Sequence, residues 1–62
     1  KIDKELLEML EKEFITLEEL EKIEGHEDVT QTENCGNSGR YIGWKWYNVV
    51  LKNGEEYDIY IR

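Results

Sequence analysis

The chain has no proline, one cysteine, one histidine and no long apolar run. Each shortage removes a class of protein. A lone Cys35 excludes a disulfide within the chain, and one Cys with one His excludes a Cys/His zinc site. Without about 18 consecutive apolar residues, no helix is expected to cross a membrane. No basic stretch leads into an apolar one, so no secretory signal peptide is read. An unpaired cysteine fits a reducing, cytoplasmic setting. Positive charge is scarce too: 8 Lys and Arg stand against 15 Asp and Glu, for a net charge of −7. That balance repels phosphate backbones and anionic lipid surfaces, so double-stranded nucleic acid and membranes are poor partners.

What is present is unevenly spread. Residues 1–33 hold 12 acidic residues against 4 lysines, and residues 34–62 hold 3 against 4 basic residues. Six of the seven aromatic residues, Tyr41, Trp44, Trp46, Tyr47, Tyr57 and Tyr60, lie in the second half; Phe14 is the exception. Sixty-two residues make a single small domain, 1–62. A chain this short buries only about 60% of its unfolded surface, so its core is thin.

Residues 1–25 read as an acidic helical arm. Asp3 is a good N-cap, Ile2 and Leu7 suit a hydrophobic staple, and Leu6, Leu7, Leu10 and Phe14 recur at helical spacing. Glu8 and Lys12 stand in the favourable i, i+4 order. Thr16-Leu17-Glu18-Glu19 is a capping box that starts a second helix, with Ile15 and Leu20 as its staple. Leu17, Leu20 and Ile23 are expected to face the core, Glu18 and Lys22 to pair outside, and Gly25 to end the helix.

Residues 26–62 read as sheet. His26–Glu33 predicts a short strand, and Asn34–Gly39 a loop by composition. Asn53-Gly54 predicts a two-residue type I′ hairpin turn. That register sets Trp46 opposite Ile61, Val50 opposite Tyr57 and Tyr47 opposite Tyr60. One face then carries Ile42, Trp44, Trp46, Asn48, Val50, Tyr57, Ile59 and Ile61 as the core. The other carries Tyr41, Lys45, Tyr47, Val49, Leu51, Glu56, Asp58, Tyr60 and Arg62. Asn48 fits the core face badly, so a bulge or a peripheral position is expected there. The fold class is α+β, with two short N-terminal helices on one face of a three-stranded antiparallel sheet in the order α-α-β-β-β.

Chemistry-bearing constellations are few. His26-Glu27-Asp28 lacks the spacing of a zinc helix or a calcium loop. Cys35 has no evident base with an orienting partner. No catalytic residue, metal ligand or cofactor site is therefore assigned, and an enzyme is not expected. The paired helices resemble a helix-turn-helix in outline only, since Glu18, Glu19, Glu21 and Glu24 would face phosphates. Trp44 and Trp46 read as core rather than as a platform for bases or sugars. The tyrosine face supports either simple cross-strand stabilisation or a contact surface.

The expected function is a small acidic protein-binding module, an inhibitor or a nucleic-acid mimic that occupies a basic surface on a nucleic-acid-processing protein. Glu8, Glu11, Glu18 and Glu21 would steer it, and Tyr41, Tyr47 and Tyr60 would anchor it. A viral or mobile-element origin suits such an inhibitor. Two alternatives stand beside this reading. One is a single-stranded nucleic-acid binder using hairpin aromatics with Arg40, Lys45 and Arg62. The other is a structural homodimer that buries the tyrosine face.

Overall fold

Asp3 caps the first helix, α1 (Lys4–Glu11), its carboxylate accepting the Leu6 N–H at 3.4 Å in the computed structural model, which describes residues 1–62. A cap of this kind is worth about 0.5–2 kcal/mol. Leu6 and Leu10 fall on one side of α1 and are buried. The second helix, α2 (Leu17–Glu24), begins at the capping box. Thr16 Oγ1 accepts from the Glu19 N–H at 3.1 Å, and Glu19 Oε1 accepts from the Thr16 N–H at 3.0 Å. Gly25 caps its C-terminus. Leu20 and Ile23 are buried, but Leu17, grouped with them by spacing, is exposed at the first helical position, outside the core cluster. The two expected i, i+4 pairs do not form; Lys12 instead reaches across to Glu19 on α2 at 2.6 Å.

Between the helices the chain departs from its periodicity. α1 stops at Glu11, Lys12 caps it, and Glu13 takes a left-handed φ of 67°. That conformation commonly ends a helix, though usually at glycine. The turn takes Phe14 off the leucine stripe where its spacing put it. Phe14–Ile15 instead forms strand β1, parallel to β4 (Glu56–Ile61), and the Tyr60 N–H donates to the Glu13 carbonyl at 2.7 Å. The sheet is therefore four-stranded and mixed, in the order β1-β4-β3-β2, rather than three-stranded and antiparallel. A two-residue strand has no alternation to read. It exists because the β4 edge supplies its hydrogen-bond partners.

Strand β2 (Val29–Asn37) starts later and runs further than its composition indicates, pairing antiparallel with β3 (Lys45–Leu51). Its register shifts at Thr30 and again at Cys35. At the second shift Asn34 Oδ1 accepts from the Gly36 N–H at 2.8 Å and Gly36 takes a φ of 87°. Of the residues that look like a loop, Asn34–Asn37 thus belong to the strand and carry a bulge, while Ser38 and Gly39 lie in the connection beyond it.

The β3–β4 turn lies where Asn53-Gly54 places it but is one residue longer. The Gly54 N–H donates to the Leu51 carbonyl at 2.9 Å, and the Leu51 N–H donates to the Glu55 carbonyl at 2.8 Å. Only Gly54 in this turn has a positive φ, whereas a type I′ turn needs one at Asn53 as well. The result is a three-residue loop ending in a left-handed glycine. Cross-strand pairs slip by one: Trp46 faces Tyr60, Tyr47 faces Ile59, and Asn48 faces Asp58.

A one-residue slip turns over the side chains of one strand. β4 keeps Tyr57, Ile59 and Ile61 toward the helices. β3 contributes Tyr47, Val49 and Leu51 to that side, so Trp46, Asn48 and Val50 leave it. The misfit of Asn48 disappears with this change. The core is aliphatic, formed by Leu6, Leu10, Ile15, Leu20, Ile23, Val49, Leu51, Ile59 and Ile61, with no tryptophan in it.

Candidate functional site

The slipped register puts Trp46 on the face that no helix covers and takes Tyr47 off it. Phe14 and Tyr60 are paired neighbours on that face, and Trp46 stands opposite Tyr60. The segment between β2 and β3 supplies two more rings. Buried Ser38 organises it: its hydroxyl accepts the Arg40 N–H at 3.1 Å and the Tyr41 N–H at 3.0 Å, and its N–H donates to the Trp44 carbonyl at 2.8 Å. The Trp44 N–H donates to the Tyr41 carbonyl at 3.1 Å, closing a turn in which Gly43 has a φ of 90°. Glycine with positive φ at the third position is the mark of a type II turn. Ile42, before that glycine, projects outward and is 92% exposed.

Phe14 is the hub of the cluster. Its ring centroid lies 5.0 Å from Tyr41, 4.9 Å from Trp44 and 5.5 Å from Tyr60. Tyr41 and Tyr60 are themselves 4.8 Å apart, edge to face. Such geometry uses the ring quadrupoles and contributes about 0.5–1.5 kcal/mol per pair beyond area burial. Two cations border the rings: the Arg40 guanidinium lies 5.4 Å from the Tyr41 centroid, and that of Arg62 4.9 Å from the Trp44 centroid. Asp58 Oδ1 accepts from the Trp46 indole N–H at 3.1 Å and from Asn48 Nδ2 at 3.2 Å. Burial first, then the charge on Asp58, pushes the Tyr60 hydroxyl above its ordinary pKa. This face is not sealed: Phe14 in the cluster is 39% exposed and Trp46 beside it 36%.

The expected tyrosine face is not formed. Tyr41 and Tyr60 meet, but through Phe14 and the type II turn rather than by strand alternation, and Tyr60 is buried. Tyr47 lies on the opposite side, half-buried against the aliphatic core, and the Val49 and Leu51 that were to extend the patch are buried in that core. Glu8, Glu11, Glu18 and Glu21 are exposed on the helices, across the sheet from the aromatic cluster. The expected steering and anchoring groups therefore face different directions. Lys45, opposite Ile61, projects to the helix side and does not join Arg40 and Arg62.

Phe14 and Ile42 were the site residues hardest to see in the sequence. A signal existed for both. Phe14 lies between a helix end and a capping box, where a side chain must leave one helix before the next begins. Ile42 directly precedes a glycine in a polar connection.

A polar clasp sits elsewhere. Buried Asp28 accepts the Asp3 N–H at 2.9 Å and the Lys52 ammonium at 2.7 Å, tying the start of α1 to the hairpin. The Lys52 bond, then the Asp3 N–H, holds the Asp28 carboxyl below its ordinary pKa, and Lys52 is raised by the same bond. His26 Nδ1 accepts the Asp28 N–H at 3.0 Å, which leaves Nε2 to donate to Asp3 at 3.2 Å. With every group engaged in a neighbour, the clasp is structural. Lys12, with Thr16 second, likewise lowers the pKa of Glu19. The half-buried Cys35 thiol donates to the Glu33 carbonyl at 3.8 Å. No helix is long and apolar enough to cross a membrane.

No protein-family model matches the chain, and no curated protein or solved structure is significantly similar to it.

Proposed function

We propose that the chain is a non-catalytic protein-binding module whose contact surface is the aromatic, helix-free face of its sheet. One observation carries this reading: the fold holds Phe14, Tyr41, Trp44 and Tyr60 in a fixed cluster and yet leaves Phe14, Trp46 and Ile42 open to solvent. Rigid, partly exposed rings beside an exposed aliphatic side chain are the composition of an interface centre. The loop that carries Ile42 is braced by the Ser38 and Trp44 hydrogen bonds, so little ordering is left for a partner to impose. The glutamates of α1 and α2 set the long-range field of the molecule from the other side.

The test is affinity capture with two baits, the natural chain and a Phe14→Ser/Ile42→Ser variant that shows the same circular dichroism. Partners should be retained by the first bait and lost by the second. Partners held equally by both, and released only when salt is raised, would shift the contact to the acidic helices and end this reading.

A further inference from the structure

We infer that the partner segment received by the aromatic face is an acidic peptide, with Arg40 and Arg62 taking its carboxylates and Phe14, Trp46 and Ile42 taking its apolar side chains. This inference rests on the protein-binding reading above. It comes from where the arginines lie. The chain has only two, and both border the same aromatic cluster. Fifteen carboxylates are available in the chain, yet neither guanidinium forms an ion pair with any of them; the three ion pairs use Lys12, His26 and Lys52. With no hydrogen bond or ion pair within the chain, each guanidinium keeps its N–H fork free, and that fork matches a carboxylate. Of the carboxylates near Tyr60, Asp58 is taken by the Trp46 and Asn48 donors, and Glu13 carries no bond to either arginine. The cluster thus presents two unspent anion receptors in a chain of net charge −7.

The same features disfavour single-stranded nucleic acid as the occupant. A strand needs a track of cations for phosphates that recur at every nucleotide. Lys45, the third cation that would lengthen the track, lies on the helix side. Exposed Ile42 is suited to an aliphatic side chain rather than a base.

Panning a displayed random-peptide library tests the inference, with the natural chain, an Arg40→Gln/Arg62→Gln variant and the Phe14→Ser/Ile42→Ser variant as targets. An acidic chain selects basic peptides by non-specific attraction, so acidic selection is diagnostic. The expected result is enrichment of Asp and Glu beside Leu, Ile or Phe on the natural chain. A synthetic copy of a selected peptide should bind the arginine variant about tenfold or more weakly, as expected for a lost charge-assisted bond. Peptides without acidic enrichment, or with equal affinity for the arginine variant, overturn the acidic-peptide inference. If those peptides still fail on the Phe14→Ser/Ile42→Ser variant, the aromatic contact surface stands alone. If they bind it unchanged, the protein-binding reading of this face falls as well. Tighter binding of an oligothymidine than of any selected peptide, with the Trp44 and Trp46 indole signals moving, makes nucleic acid the occupant and overturns the inference.

Discussion

The two faces of the sheet are built from different side chains and meet different fates. On the helix side, aliphatic residues from both helices and three strands close into a core in which Leu6, Ile23, Val49 and Ile59 are fully buried. On the other side, rings from β1, β4 and the β2–β3 connection pack edge to face, and the surface they form stays partly open. Aliphatic side chains gain mainly by complete removal from water. Aromatic rings also gain from ring geometry, which survives partial exposure. The first face therefore carries stability, while the second holds its shape without being fully buried.

Substitution separates the two. The largest effect belongs to the aliphatic face: Ile59→Ala should cost about 2–5 kcal/mol in a urea titration, because it leaves a cavity under both helices. Stability in small domains is of order 0.05–0.15 kcal/mol per residue, so this variant should be largely unfolded at modest urea. A cost no larger than that of a surface change would break the comparison.

The polar clasp adds a pH dependence on the same side. Asp28 is held below its ordinary 3.8, so its contribution is present above that value and lost as pH falls through the folded pKa. Lys52 is raised above its ordinary 10.5, so its contribution is full below that value and lost as pH rises through the folded pKa. Asp28→Asn should lower stability at neutral pH and flatten the acid limb of a stability–pH curve. An unchanged acid limb would remove Asp28 from the clasp.

Turn geometry comes next. Gly54→Ala should destabilise by about 1–2 kcal/mol, because alanine resists the left-handed conformation that sets the register of both faces. Glu13→Gly should do the reverse and raise stability by up to about 1 kcal/mol, since glycine accepts that conformation without strain. Thermal denaturation checks both, and equal signs for the two would contradict the turn assignments. The smallest effect belongs to the aromatic side: Ile42→Ser should change stability by no more than about 0.5 kcal/mol while abolishing partner capture.

Local hydrogen bonding was the most legible part of the sequence. The capping box at Thr16 and Glu19 can be read from four residues because both of its bonds close within them. The N-cap at Asp3 and the stop at Gly25 are visible for the same reason. Asn53-Gly54 located the hairpin, but the backbone angle of Asn53 decided whether the loop has two residues or three, and that angle leaves no mark on composition. From that one angle follow the inward turn of Tyr47 and the outward turn of Trp46. Phe14 was misread because its helical spacing is real while its partners, Tyr60, Tyr41 and Trp44, are distant in sequence. Strand alternation groups Tyr41, Tyr47 and Tyr60 on one face, but Tyr47 turns to the other, and Tyr41 and Tyr60 meet through Phe14 and the Ser38-braced turn.

Separation of stability and the proposed recognition onto opposite faces of one sheet is tested most directly by NMR chemical-shift mapping of the chain with a peptide selected on it. The indole N–H signals of Trp44 and Trp46 and the ring signals of Phe14 should move, while the amides of Glu8, Glu11, Glu18 and Glu21 stay in place. Movement of those glutamate amides with the indole signals unchanged would contradict it.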